Sequence, residues 1–178
     1  MTTWVTSDLH FGHANIMKFC PQSRARYKND VDYMNEQMIL EWNATIAPED
    51  TVYILGDVAF LPAPKAVSIM RRLNGTKILV EGNHDRKLLN DPVFRSCFAE
   101  VHSYLCITYE KTRVVMFHYP IAEWDQMHRG AVHLHGGTSG MEKFRCRDMG
   151  MDATGFIAVP MEVAIRDAMT GAIKGHHV

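Results

Sequence analysis

Residues of the types that bind metal ions follow several short apolar runs of this chain. The side chains in question are Asp8, His10, Asp57, Asn83, His84 and His118. Carboxylate, imidazole and amide oxygen together suit a mixed nitrogen and oxygen site for manganese, iron, zinc or nickel. A carboxylate such as that of Asp57 can also bridge two cations, because it has lone pairs on both oxygens. Two cations about 3.5–4 Å apart can hold a phosphate group and activate a water molecule between them.

The turn at residues 82–85 is the most specific of these signals. It reads Gly-Asn-His-Asp shortly after the apolar run 77–80, so several functional residue types occupy one turn. The other motifs are weaker alone: Asp8-x-His10 is more often a cap or a surface turn, and Gly56-Asp57 is usually a turn. A single histidine such as His118 at the end of an apolar run is more often a hydrogen-bonded core residue. The combination in this order is what predicts a metal site.

Short β-rich runs precede these polar residues and must bring them together. Each run is apolar and ends in a polar or glycine-containing turn, which is typical of a buried strand. The predicted strands cover residues 4–6, 51–55, 77–80, 114–117, 131–135 and 156–159. Ligands of open α/β sheets bind beyond the carboxyl ends of the strands, so these ends are expected to form the site.

Helices are predicted between some of these strands. Apolar residues recur at helical spacing over about residues 31–46, and Asn29 or Asp30 can cap that helix. A second apolar stripe covers residues 66–73, and a short helix is predicted at 162–168. Strand and helix alternate in the first half of the chain, which predicts an α/β class.

Length and composition bound the class of protein. The chain has 178 residues, of which 47% are hydrophobic and 22% charged, and this predicts a single domain over residues 1–178. No apolar run approaches the roughly 18 residues that would cross a membrane, and the first residues do not resemble a signal peptide. The four cysteines form no Cys-x-x-Cys pair, so a reducing, cytoplasmic setting is expected. With 19 basic and 20 acidic residues the chain lacks a basic footprint for extended nucleic acid, which leaves a small phosphorylated substrate as the expected partner.

A short basic segment follows the first motif. It contains Arg24, Arg26 and Lys28. The favoured interpretation is a solvated loop, and the alternative is a contact with a substrate phosphate.

Taken together and in order, the polar motifs resemble those of one known family. Asp8-x-His10, Gly56-Asp57, the turn 82–85 and His118 are similar to the successive motifs of the calcineurin-like metallophosphoesterases, over most of the chain. The segment 148–152 is similar to small bacterial and phage members. The resemblance implies a four-layer α/β/β/α sandwich with a dinuclear metal site at one edge. It also implies hydrolysis of phosphomonoesters or phosphodiesters, including nucleotides, by a metal-activated water.

The same resemblance assigns a role to each motif residue. The implied metal ligands are Asp8, His10, Asp57, Asn83 and His118. Asp57 would bridge two divalent cations, for which manganese is favoured over iron, zinc or nickel. His84 would lie near the leaving-group oxygen as general acid or transition-state stabiliser, and Asp85 would orient it.

The last motif of the family, Gly-His-x-His, is altered in this chain. Gly136 aligns with the motif glycine, whereas Gly137 and Ser139 stand where one ligand of each cation belongs. Loss of a ligand at each cation predicts weak or incomplete metal loading, by at least about 10–100-fold in affinity. His133 or His135 could replace a missing ligand, or both could be buried strand residues. The alternative function is a catalytically impaired scaffold that binds a phosphorylated ligand or protein partner.

Overall fold

The computed structural model describes residues 1–137 and 144–175, which form two β-sheets and the helices around them. The strands are β1 Thr3–Thr6, β2 Thr51–Ile54, β3 Thr76–Val80, β4 Glu100–His102, β5 Leu105–Tyr109, β6 Thr112–Phe117, β7 Val132–His135, β8 Cys146–Asp148 and β9 Val159–Pro160. The helices are α1 Ile16–Phe19, α2 Pro21–Arg24, α3 Val31–Thr45, α4 Ala63–Met70, α5 Arg86–Leu89, α6 Pro92–Arg95, α7 Met151–Thr154 and α8 Met161–Ala168. Two 3-10 turns lie at Ala25–Tyr27 and Met127–Arg129.

The strand order brings the carboxyl ends of the central strands to one edge of the molecule. The first sheet has the order β4-β3-β2-β1-β9, in which β1 to β4 are parallel and β9 is antiparallel to β1. The second sheet has the order β5-β6-β7-β8, with β5 antiparallel to β6 and the remaining pairs parallel. The segments that follow β1, β2, β3, β6 and β7 contain the polar motifs.

Alternation along the strands divides the apolar side chains between two faces of the first sheet. In β2, Val52 and Ile54 face α3 and α4, whereas Tyr53 packs in the core between the sheets. Val114 and Leu134 enter that second core from β6 and β7, and α8 packs beside it. Because successive side chains of a strand point to opposite faces of the sheet, the same short apolar runs contribute to both cores.

The outer face of the second sheet has a thin cover. Val115 of β6 packs there against Trp124, Met127 and Ala131, which lie in the segment between β6 and β7. This segment contributes a 3-10 turn. The predicted four-layer α/β/β/α sandwich is thus confirmed, with a short outer layer on this side.

The local signals correctly predicted the three longest helices, α3, α4 and α8, and the strands β1, β2, β3, β6 and β7. Helix α3 begins where the sequence predicts, and Asp30, not Asn29, caps it by accepting a hydrogen bond from the Tyr33 backbone N–H at 3.0 Å. Helix α4 starts three residues before the predicted stripe 66–73. The run 156–159 was predicted to be a strand, but only Val159 of it pairs with β1. Within residues 1–137 and 144–175, no helix is both long and apolar enough to cross a membrane.

Candidate metal centre

Three predicted ligands from three strand ends lie together. Asp8 follows β1, Asp57 follows β2 and His118 follows β6, and one donor atom of each lies within 4.8 Å of the others. His10 joins them through its Nε2, which lies 3.5 Å from Oδ1 of Asp8. Asn83 joins them through its amide oxygen, which lies 3.1 Å from Nε2 of His118. The structure therefore brings together all five residues predicted as metal ligands.

The hydrogen bonds of His118 fix which ring nitrogen faces the site. Its Nδ1 lies 2.7 Å from the carbonyl oxygen of Leu55. A carbonyl only accepts hydrogen bonds, so in the neutral ring Nδ1 carries the hydrogen and Nε2 keeps a lone pair. This Nε2 lies 3.1 Å from Oδ1 of Asn83 and 3.6 Å from Oδ2 of Asp57. Three acceptor atoms thus converge, and a cation among them would relieve their mutual repulsion.

The separations of these atoms fit divalent cations. Two ligand atoms that each lie about 2.1 Å from one cation are at most about 4.2 Å apart. The contacts of His118 Nε2 with Asn83 and Asp57, at 3.1 and 3.6 Å, satisfy this limit, as does the 3.5 Å contact between His10 and Asp8. The donor chemistry fits as well, because imidazole, carboxylate and amide oxygen are ligands for manganese, iron and zinc.

The backbone at the ligands is strained. Asp8, His10 and Asp57 have φ values of 54°, 55° and 54°, in the left-handed region. Each such non-glycine residue costs on the order of 1–3 kcal/mol and persists only where surrounding contacts enforce it. Two hydrogen bonds between the turns do so, because the Asp8 N–H donates to the Gly56 carbonyl at 3.0 Å and the His10 N–H donates to the Asp57 carbonyl at 3.1 Å.

Asp85 holds two of the turns at the site through their backbone. Its fully buried carboxylate accepts hydrogen bonds from the N–H groups of Asp57, Val58 and Gly82 at 2.8 to 2.9 Å. Burial raises the pKa of Asp85, although hydrogen bonds from Val58 and Gly82 oppose that effect. The predicted orienting of His84 by Asp85 stays a prediction, and the contacts give it an indirect route through the turn on which His84 stands.

His84 lies beside the metal ligands and faces solvent. Its backbone N–H donates to Oδ1 of Asp57 at 3.1 Å, and its ring Nε2 lies 3.9 Å from Oδ2 of the same carboxylate. The side chain is 47% exposed, so an incoming molecule can reach the ring.

The ionised form of Asp8 is favoured at the site. Burial raises its pKa, but hydrogen bonds from His10, Ser7 and the Gly137 backbone outweigh burial, so the net pKa is lowered. The Gly137 N–H lies 3.0 Å from Oδ2 of Asp8. A negative carboxylate at this position suits a cation.

Two glycines are required by the close approach of the turns. A Cβ at Gly136 would lie 2.1 Å from Oγ of Ser7 and 2.7 Å from Oδ2 of Asp8. A Cβ at Gly56 would lie 2.5 Å from Nδ1 of His118, and this residue has a φ of +96°. The match of Gly136 to the motif glycine therefore has a steric reason.

The altered motif leaves space where its first histidine belongs. Gly137 has a φ of +68°, and a Cβ there would meet the His118 carbonyl oxygen at 3.6 Å and nothing nearer. Ser139 lies outside the described residues. His133 and His135 are fully buried, and three of their ring nitrogens contact backbone carbonyls: both ring nitrogens of His133 lie 3.2 Å from carbonyl oxygens, and Nδ1 of His135 lies 2.8 Å from the Gly136 carbonyl.

Arg24 is a residue for which the interpretation as a solvated loop is wrong. Its side chain is 0% exposed. Nε and Nη2 donate to the two carboxylate oxygens of Asp152 at 2.7 and 2.8 Å. Nη2 and Nη1 also donate to the carbonyl oxygens of Asp8 and Leu9 at 3.0 and 3.1 Å. Arg24 thus holds the strained turn that carries two of the ligands, whereas Arg26 lies at the surface and pairs with Glu41.

A cluster of rings beside the first ligands also escaped the sequence interpretation. Phe60 stacks on His10 and His13, with ring centroids 5.0 and 4.1 Å apart, and is tilted against His84 at 4.5 Å. Burial and the neighbouring His10 lower the pKa of His13. The spacing Asp8-x-His10-x-x-His13 was the available signal, since it places a third polar residue in the same turn region.

Comparison with known proteins identifies the family. The sequence model for calcineurin-like phosphoesterases matches residues 1–156, so the chain belongs to this family and the resemblance of its motifs is confirmed. Membership supports a phosphoesterase-type hydrolase and a site for divalent metal ions.

Individual relatives are more distant. An uncharacterized protein of Methanocaldococcus jannaschii, MJ1445, is 39% identical over 85 residues, which cover 47% of this chain and 46% of that protein. The chain thus spans about half the length of this relative. The gene 66 protein of Mycobacterium phage D29 is 27% identical over an alignment of 184 residues, which covers 84% of this chain and 87% of that protein. The crystal structure of AQ665 from Aquifex aeolicus, a protein of unknown function, has the same fold, with a TM-score of 0.72 at 22% identity over 91% of this chain and 96% of that chain.

Proposed function

We propose that this protein hydrolyses phosphoesters of small molecules, monoesters or diesters, with two divalent cations held at the strand ends. The observation that carries the proposal is the convergence of acceptor atoms around Asp57, since one donor atom each of Asp8, Asp57 and His118 lies within 4.8 Å of the others. Family membership supports the reaction class.

Each ligand has a distinct part in this proposal. Asp8 and His10 would hold the first cation, Asn83 and His118 would hold the second, and Asp57 would be a ligand of both. The bound cations supply Lewis acidity and an activated water molecule for attack on phosphorus. The strained turns hold the ligands in position before the cations arrive, which favours binding because little reorganisation remains.

His84 acts on the leaving group. Its exposed ring lies 3.9 Å from the shared Asp57 carboxylate, which is within reach of a phosphoester held there. A positioned imidazole can donate a proton to the leaving oxygen as the phosphorus–oxygen bond breaks. The backbone hydrogen bond to Asp57 and the ring of Phe60 keep this side chain beside the Asp57 carboxylate.

The surface beyond His84 favours a small organic leaving group. A cavity of about 510 Å³ lies there, with Phe60, Leu61, Leu88 and Lys87 among its walls. Sites for small molecules commonly have about 300–1,000 Å³ and mostly apolar walls with a few polar groups. The formal net charge of −1 argues against an extended nucleic-acid substrate.

The test is hydrolysis of a generic aryl phosphomonoester and diester with added manganese. Asp57→Asn should abolish turnover, because the amide lacks the charge and the second acceptor oxygen that a bridging ligand needs. The matched control is Asp32→Asn, the same chemical change at an exposed position of α3. Equal rates for Asp57→Asn and Asp32→Asn would exclude the proposed mechanism.

The second candidate function is a catalytically impaired scaffold that binds a phosphorylated ligand. The observation that favours it is Gly137, where the motif of the family requires a side chain that glycine lacks. Manganese binding separates the two functions. If the unmodified protein binds inorganic phosphate but binds no manganese and hydrolyses no substrate, it is a scaffold.

A further inference from the structure

We propose that His13 is a positioning residue that orients the ring of His10 and accepts the hydrogen of its Nδ1 when Nε2 binds the first cation. This inference rests on the proposed function for the cation, but the geometry of the two rings stands independently of catalysis. His13 belongs to none of the motifs of the proposed site.

A hydrogen bond joins the two imidazoles. Nδ1 of His10 lies 3.1 Å from Nδ1 of His13. Between two neutral rings, one nitrogen must donate and the other must accept. On its other side, Nε2 of His10 lies 3.5 Å from Oδ1 of Asp8, where the first cation belongs.

Coordination decides the direction of this hydrogen bond. An imidazole binds a metal through a nitrogen that has no hydrogen, so His10 must carry its hydrogen on Nδ1. That N–H then donates to Nδ1 of His13, which accepts and carries its own hydrogen on Nε2. Metal-bound histidines usually donate their second N–H to a fixed acceptor in this manner, and loss of such an acceptor typically costs about 10–100-fold in metal affinity.

Packing fixes the acceptor in place. The ring of His13 lies flat on Phe60, with centroids 4.1 Å apart and an interplanar angle of 19°. The ring of His10 stacks on Phe60 as well, at 5.0 Å and 12°. The backbone sets the spacing, because the His13 N–H donates to the His10 carbonyl at 3.1 Å. His13 therefore cannot leave His10 without breaking both the stack and this turn.

Two substitutions separate the acceptor from the ring. His13→Phe keeps a planar ring for the stack on Phe60 but removes the acceptor nitrogen. His13→Asn gives up the stack but places an oxygen where Nδ1 stood, so it is the conservative variant. His102→Phe is the matched control, since His102 is a partly exposed residue of the edge strand β4 that pairs with Glu100.

The first readout is the tautomer of His10 in protein loaded with zinc, a diamagnetic cation, from nitrogen-15 NMR of the ring. We expect a single tautomer with the hydrogen on Nδ1 in the unmodified protein and in His13→Asn, and a mixture of tautomers in His13→Phe at the same zinc concentration. The second readout is manganese affinity, measured by isothermal titration calorimetry. We expect the tighter step to weaken about 10–100-fold in His13→Phe, to recover at least partly in His13→Asn and to stay unchanged in His102→Phe.

The outcomes distinguish this inference from the proposed function. An Nε2–H tautomer of His10 in the zinc-loaded unmodified protein would overturn the role of His13, as would a manganese affinity equal in His13→Phe and the unmodified protein. If the unmodified protein binds neither zinc nor manganese, the proposed function fails and the inference about His13 fails with it, whereas metal binding that His13→Phe leaves unchanged overturns the inference alone. If His13→Phe does not fold, the unmodified protein and His13→Asn still supply the tautomer and the affinity.

Discussion

Replacing Arg24 with methionine should destabilise the protein strongly, because this side chain is buried and fully hydrogen-bonded. The change leaves the Asp152 carboxylate, which is 19% exposed, without its cation, and it leaves the carbonyls of Asp8 and Leu9 without their donor. Removal of one partner of a buried ion pair typically costs about 3–5 kcal/mol. At about 2–4 °C per kcal/mol for a domain of this size, the melting temperature should fall by about 6–20 °C.

The assay is urea and thermal unfolding followed by circular dichroism in the presence of a chelator. Arg26→Met is the matched control, since the Arg26 side chain is 46% exposed and pairs with Glu41 at the surface. Such a surface pair contributes about 0–1 kcal/mol. If the two variants lose the same free energy of unfolding, the role assigned to Arg24 is wrong. Manganese affinity should also fall in Arg24→Met alone, because the turn that carries two ligands loses its support.

Three further predictions concern buried groups and the altered motif. Burial lowers the pKa of His133 to about 4, so on acidification the unfolded chain binds a proton before the folded chain does. The free energy of unfolding should therefore be constant above about pH 6.5 and fall by about 3 kcal/mol as the pH drops to 4. The variant His133→Asn should lack this pH dependence. Two backbone N–H groups donate to Oδ2 of Asp85 and one donates to Oδ1, so Asp85→Asn turns an amide N–H₂ group toward at least one backbone donor, and urea unfolding should show a loss of about 1–3 kcal/mol. Gly137→His together with Ser139→His should raise the manganese affinity, measured by titration, at least about tenfold. The double variant should lose about 1–2 kcal/mol of folding stability, because a side chain at position 137 has to adopt a positive φ. An unchanged affinity would show that the altered motif does not limit metal binding.

The order of the ligands could be predicted from the sequence because it depends on local signals. A short apolar run followed by a polar turn defines the end of a buried strand, and parallel strands bring such ends to one edge. Asp57 and His118 are found in this way although they come from different sheets. The cap at Asp30 was likewise predictable from its position before an amphipathic stripe.

The supporting contacts could not be predicted because they join distant parts of the chain. The sequence places Arg24 in a solvated basic loop. Its side chain is instead buried against Asp152, which lies 128 positions further along the chain, so no local pattern indicates the contact. The acceptor role of His13 depends on the ring of Phe60, which the periodicity of the sequence does not place. The contacts of Arg24 and His13 determine how rigidly the ligands are held, whereas the motifs determine which ligand atoms the site contains.

The most direct test of the central claim is anomalous diffraction at the manganese edge from crystals grown without chelator and soaked in manganese. We expect a peak within coordination distance of the Asp57 carboxylate, between Asn83 and His118, and a second on the side of Asp8 and His10 at higher manganese concentration. Crystals that diffract well and show manganese only elsewhere, or none, would contradict it.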